Sequence, residues 1–157
     1  MDIFLVKKDL DLKEIILPQG LEKIGSCAFA VCTQLEDINI PDSVVCVEDS
    51  VLDLTAYYNN SSNWENGVLY NGKHLIYTKS SISGDFTVKE GTKTIAAHAF
   101  YWRYNVENII IPDSVVGIGT LAFGDNSNLK TVKIPASVVY IGDDIVKESP
   151  NAVLTVY

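Results

Sequence analysis

Few side chains in this 157-residue chain could do chemistry: His74 and His98, Cys27, Cys32 and Cys46, and the acidic pairs Glu36-Asp37, Glu48-Asp49 and Asp143-Asp144. A zinc hydrolase sets two histidines one helical turn apart with a glutamate between them, and no H-E-x-x-H is present. There is also no C-x-x-C pair, no nucleophile elbow and no glycine-rich phosphate loop. Gly117-Ile118-Gly119 ends an extended segment without opening a helix, so it cannot cradle a phosphate. The acidic pairs lack the D-x-D-x-D-G spacing that wraps calcium and read as solvated carboxylates. No acid–base pair with a positioning partner can be nominated. The expectation is a non-enzyme with no metal and no cofactor.

Charge narrows the partners. Twenty acidic side chains against twelve basic ones give a net charge of −8. Nucleic-acid binding needs clustered Lys and Arg, and an anionic membrane surface needs the same, so both are excluded. No apolar stretch is long enough for membrane insertion. The N-terminus, MDIFLVKKDLDLKE, places a short apolar run before its charges, the reverse of a secretory leader. The expectation is either a cytosolic protein or a piece of chain that has lost its leader.

What the chain does have is a repeat, and it must position everything else. IPDSVV stands at 40–45 and 111–116, and IPASVV at 134–139. With the proline of each as zero, the frame points are Pro18, Pro41, Lys89, Pro112 and Pro135, separated by 23, 48, 23 and 23 residues. Three residues on come Leu21, Val44, Thr92, Val115 and Val138; six on come Ile24, Val47, Ile95, Ile118 and Ile141. An Ala-Phe or its apolar equivalent follows at ten and eleven. A fixed period in this range marks a solenoid, because one coil cannot bury its apolar face alone. LEDINIP alternates apolar and polar, so it predicts a strand ending at the proline, where no ladder donor is needed. Stacked coils then pair their strands in parallel, with the residues at three and six pointing inward.

LEDINIPDSVV, VENIIIPDSVVGIGTLAF and LKTVKIPASVVYIGDDIV resemble leucine-rich repeats of the BspA-like type, over nearly the whole chain. The resemblance implies a mainly β leucine-rich repeat solenoid of about five 23-residue coils with a concave parallel sheet, forming one domain over 1–157. It also implies a cell-surface or secreted protein of host-associated bacteria, or of some protozoa, that adheres to a protein partner of a host or its extracellular matrix. The chain departs from leucine-rich repeats elsewhere at the lacing asparagine, replaced by Gly20, Ser43, Gly91, Ser114 and Ser137, so an asparagine ladder is expected to be absent. The coil at 41–55 has lost its Ala-Phe, and AVLTVY carries no polar cap.

Residues 56–85 break the period. Asn71-Gly72 between Val68–Tyr70 and His74–Tyr77 predicts a hairpin with a type I′ turn. Tyr57, Tyr58 and Trp64 either anchor this hairpin or offer an aromatic contact surface. The N-x-S triplets at 59–62 would be glycosylated only in a eukaryotic secretory context. Cys27, Cys46 and Cys32 sit nine, five and fourteen after their frame points, so no like positions stack into a ladder disulfide. Buried free thiols are expected, with a Cys27–Cys32 bridge as the alternative. His98 shares a variable slot with Cys27, Ser50, Leu121 and Asp144 and reads as structural or exposed.

Two surfaces remain as candidate ligand-binding sites. One is the strip of outward residues two and four before each frame point: Asp37 and Asn39, Asp85 and Thr87, Asn108 and Ile110, Thr131 and Lys133, with Glu14 and Ile16 at its start. The other is YWRYN, where Tyr101, Trp102 and Tyr104 surround Arg103 in a loop whose counterparts are small or polar. These aromatics either pack on the hairpin or form an exposed anchor. The reading is a non-catalytic protein-binding module. The alternatives are a structural spacer, an accessory repeat region of a larger secreted enzyme, or an intracellular interaction protein.

Overall fold

The computed structural model describes the backbone of residues 2–3 and all of residues 10–157; most of the apolar run read above for a leader lies outside the described residues. The first block carries β1 (Asp2–Ile3), β2 (Glu14–Ile16), β3 (Lys23–Ile24), β4 (Asp37–Asn39) and β5 (Cys46–Val47). An intervening module holds the helical turn α1 (Ala56–Asn59), a 3-10 turn (Ser61–Asn63), β6 (Trp64–Glu65), β7 (Val68–Asn71) and β8 (His74–Thr78). The second block carries β9 (Gly84–Thr87), β10 (Thr94–Ile95), β11 (Val106–Ile110), β12 (Gly117–Ile118), β13 (Thr131–Ile134), β14 (Tyr140–Ile141) and β15 (Val153–Val156).

Each coil thus lays down a strand before its frame point and a shorter one after it. The first kind pair in parallel as β2–β4 and as β9–β11–β13–β15. Their register keeps the frame: Ile15 lies beside Ile38, and Phe86, Ile109 and Val132 line up across three coils. Like positions therefore shelter one another, and Ile24, Val47, Ile95 and Ile118 are fully or almost fully buried. Phe29, Phe100 and Phe123 are fully buried at position eleven of three coils, with Phe100 and Phe123 ring centroids 5.6 Å apart. In the coil without Ala-Phe, Val51 and Leu52 are fully buried in that place.

β15 adds a sixth first-type strand, Val132 pairing with Leu154, where the sequence reading counted about five coils. Ile141 corrects the expectation of an inward residue: it is 51% exposed. Among the described residues β14 is the edge of its sheet, with no further coil over Ile141.

The module between the blocks takes the place of a coil. β8 pairs in parallel with β10, setting His74 beside Thr94 and Leu75 beside Ile95. The predicted hairpin forms, β7 pairing antiparallel with β8, but its turn is shifted by one residue. The hairpin of β7 and β8 turns at Gly72-Lys73, and Asn71 is a strand residue. Two positive φ angles in succession, 50° and 82°, occur at Asn66-Gly67, the turn joining β6 to β7. Asn71 is instead buried against the first block: its amide accepts from Ile40 N–H and donates to the Ile38 carbonyl, both at 2.7 Å. Tyr58 meets Trp64 and Tyr77 edge-to-face, and the Tyr57 hydroxyl donates to the Tyr70 carbonyl at 2.9 Å. These aromatics therefore anchor the module.

A third set of coil-to-coil bonds runs along the corner after each second strand. The N–H groups nine, eleven and thirteen after the frame point donate to carbonyls of the next coil: Cys27 to Asp49, Phe29 to Val51, Val31 to Asp53. The same triplet recurs from His98, Phe100 and Trp102, and from Leu121, Phe123 and Asp125. The residues at nine and thirteen have φ between 53° and 66° in all five coils that carry a frame point, although none is glycine. Side chains at these positions are thrown outward, so the expectation of buried free thiols holds for Cys32 and Cys46 but is corrected at Cys27, which is free and exposed. Hydroxyl and amide side chains lace the remaining turns. Ser43 accepts from Gly20 N–H and donates to the Leu21 carbonyl, and Ser114 accepts from Gly91 N–H. Asn126, buried fourteen after its frame point, donates to the Phe100 and Phe123 carbonyls. Lacing is thus present, with one asparagine, at a position the sequence reading did not assign to it.

A β-branched residue in the left-handed region is the costliest occupant of such a corner. Val31, at φ 66°, is that residue. Val31→Asn should raise unfolding free energy by about 1 kcal/mol in a urea titration, since asparagine tolerates this conformation.

Candidate functional site

The strip residues all stand on first-type strands, with alternate side chains turned out. Asp37, Asn39, Asp85, Thr87, Ile110 and Lys133 are exposed, and Asn108 and Thr131 are half-buried. Three of them form a chain of hydrogen bonds across neighbouring coils. Asn108 Nδ2 donates to Asp85 Oδ1 at 2.6 Å, and Thr131 Oγ1 donates to Asn108 Oδ1 at 2.7 Å. The row is thereby held in one rotameric arrangement while facing solvent. It is not continuous, however. Asp37 and Asn39 lie on the two-stranded sheet and the other six on the four-stranded sheet, because the module has displaced the coil between them. At the far end, Ile110, Lys133, Thr155 and Tyr157 line a groove of about 430 Å³. Thr155 and Tyr157 escape the sequence reading because one lies on the uncounted sixth strand, β15, and the other directly after it.

The aromatic loop is split in role. Arg103 faces the module: its Nε donates to the Thr78 carbonyl and hydroxyl at 2.8 and 2.9 Å, and a terminal nitrogen donates back to the Tyr101 carbonyl at 2.7 Å. Burial lowers its pKa. Tyr101 stacks on Trp102 at 5.0 Å and takes the edge of His98 at 4.8 Å. A hydrogen bond to Asp125 raises the Tyr101 pKa. Trp102 and Tyr104 remain 55% and 51% exposed. Trp102 is held outward by its left-handed corner, φ 58°. Tyr104 stands two residues before β11, whose Asn108 and Ile110 belong to the strip, so one strand joins the two surfaces.

The titratable groups inside the fold serve packing. His74 is fully buried, with Nδ1 2.8 Å from Thr94 Oγ1 and Nε2 3.2 Å from the Pro41 carbonyl. Desolvation lowers its pKa to about 4. Burial pushes the Cys46 thiol up; its Sγ donates to Glu48, which pairs with Lys23 at 2.6 Å. The Tyr140 hydroxyl also hydrogen-bonds Cys46, and a Cβ at Gly117 would collide with the Val45 carbonyl. β5 therefore lies against the second block without joining its ladder. Among the described residues, no group of three or more His, Cys, Asp or Glu could hold a metal ion, and no helix is long and apolar enough to cross a membrane.

A family model described as BspA type leucine rich repeat region matches residues 5–84 and 93–155, in six copies. Among solved structures, a leucine rich cell surface protein from Faecalibacterium prausnitzii A2-165 is 25% identical over 92% of this chain and 33% of its own, with a TM-score of 0.46. The pneumococcal vaccine antigen PcpA is 20% identical over 93% of this chain and 51% of its own, with a TM-score of 0.51; this likeness shows the fold. A leucine-rich repeat protein from Bacteroides ovatus ATCC 8483 is 19% identical over 91% and 48%, with a TM-score of 0.34. The chain spans about a third to a half of the length of these structures. None of the curated proteins matches it.

Because the folded state holds His74 neutral, the unfolded chain binds more protons between pH 6.5 and about 4, and stability falls as pH drops through that window. Unfolding free energy should drop by about 2 kcal/mol from pH 7 to pH 5 on this account. Urea titrations of the wild type and His74→Gln at both pH values isolate the effect; the variant should lose that part of the slope.

Proposed function

The chain belongs to the BspA-type leucine-rich repeat family, and we propose that it is a non-catalytic protein-binding segment of a cell-surface or secreted adhesin-like protein. Membership supports this reading, since such repeats commonly occur in surface proteins that contact other proteins. The observation that carries it is the Asp85–Asn108–Thr131 chain of hydrogen bonds, partly exposed and already ordered, on a sheet whose strand β11 directly follows the loop of exposed Trp102 and Tyr104. A row ordered before contact loses little side-chain entropy on binding. Large aromatics beside a polar row match the composition of binding hot spots. In this reading Asp85, Thr87, Asn108, Ile110, Thr131 and Lys133 orient a partner of the host or its extracellular matrix, and Trp102 and Tyr104 anchor it.

The double variant Trp102→Ala, Tyr104→Ala removes the anchor from an exposed site and should leave the fold intact. Its binding to immobilised fibronectin, fibrinogen and collagen, read by surface plasmon resonance, should fall at least tenfold on whichever surface the wild type holds, a loss on the order of 1.4 kcal/mol. A spacer would bind none of them, and undiminished binding by the variant would remove the aromatics from the site.

A further inference from the structure

Where the module displaces a coil, it leaves two strand edges facing the gap, and they are treated differently. The edge of β4 is sealed, because the Asn71 amide takes both the Ile40 donor and the Ile38 acceptor. The edge of β9 is not sealed. Gly84 and Val88 donate to Asn105 and Ile110, so even-numbered residues of this strand turn toward β11. Lys89 N–H turns the other way and meets the Tyr70 hydroxyl at 3.3 Å. In a parallel ladder, alternate residues bond to opposite sides. The N–H and C=O groups of Asp85 and Thr87 therefore point into the gap. A groove of about 270 Å³ runs along that edge, with Phe86, Thr87 and Lys89 on one wall and Glu65, Val68 and Tyr70 on the other. It continues past Tyr70 and Lys89 into a second hollow of about 190 Å³.

We propose that this groove takes up an extended peptide segment of a partner protein as an added parallel strand on β9. Unpaired main-chain donors and acceptors in a row are satisfied best by another extended main chain. The pleat then dictates side chains. The residue level with Phe86 points down between Phe86 and Tyr70, and a branched apolar side chain fits there. Its neighbour beside Asp85 faces solvent next to one free carboxylate oxygen, with Glu65 at the same mouth, so Lys or Arg complements it. The Lys89–Glu65 pair across the groove, 3.2 Å apart and with both side chains about two-thirds exposed, is weak enough to open. The occupant is thus a basic–apolar–polar segment, which also suits the net charge of −8. This goes beyond the reading above, since the contact is carried by the main-chain edge of β9, to which the strip residues Asp85 and Thr87 belong, and not by the outward face of the strip as a whole or by the aromatic loop.

The probe is acetyl-Thr-Lys-Val-Thr-Val-amide with a fluorescent label, read by polarisation against the intact chain, together with two isomers N-methylated on alternate residues. One isomer blocks the amides that would face β9, and the other blocks those facing away. The unmodified peptide should bind saturably below millimolar concentration. One isomer should lose at least about tenfold and the other little, as expected when edge hydrogen bonds carry the contact. Thr87→Pro removes an N–H that β11 does not use, so it should keep the far-UV circular dichroism spectrum and lose binding by about tenfold. Asp85→Lys should weaken the lysine peptide, and Trp102→Ala with Tyr104→Ala should leave it unchanged. Equal binding by both isomers, full binding by a folded Thr87→Pro variant, or no saturable binding up to millimolar peptide would each overturn the proposal.

Discussion

Every coil in this protein must bring its main chain back over its own start so that donors and acceptors meet those of the next coil. Strands satisfy this on two sides. On the third side there is no strand, only a corner, and in three coils the N–H groups at nine, eleven and thirteen still reach the neighbouring carbonyls. They do so because the chain enters the left-handed region twice per coil. Each such residue carries a conformational cost on the order of 1 kcal/mol, offset by bonds that otherwise would be buried and unmade. The inward Phe29, Phe100 and Phe123 sit between the two left-handed residues of their coils, so the corner also fixes where these large rings enter the core.

The same constraint explains the module. A hairpin can stand in for a coil only where its backbone matches, and β8 matches β10 along one side alone. Elsewhere side chains take over main-chain roles: the Asn71 amide on β4, the His74 imidazole on the Pro41 carbonyl and Thr94, the Arg103 guanidinium on Thr78. What the side chains do not reach stays open, and that remainder is the groove beside β9.

Much of this was legible from residue identity because stacking places like on like. Ile24, Ile95 and Ile118 are buried by copies of themselves, so their spacing alone announces their side. Ile141 has the same spacing and is exposed, because burial there depends on a neighbour and not on the residue. Two Asn-Gly dipeptides stand five residues apart, and only the strand pairing chose Asn66-Gly67 for the paired left-handed turn. The corners were invisible in advance, since Cys27, Val31, His98, Trp102 and Leu121 give no hint of a left-handed backbone. Of the candidate surfaces, the strip followed from alternation, whereas its interruption and the open edge of β9 follow from where the module sits.

The seam between the blocks also sets how the array answers a pull. Within each block, neighbouring coils share several parallel rows of main-chain bonds, and loading them end to end makes each coil resist in turn. At the seam those rows are replaced by side-chain contacts, one short ladder and isolated main-chain bonds such as Ala97 N–H to the Val47 carbonyl and Tyr57 N–H to the Leu35 carbonyl. Tension along the stack therefore gathers there first. The two blocks would separate as intact pieces and pay out the intervening segment as slack, so that a tethered chain lengthens in one step before either block begins to unravel.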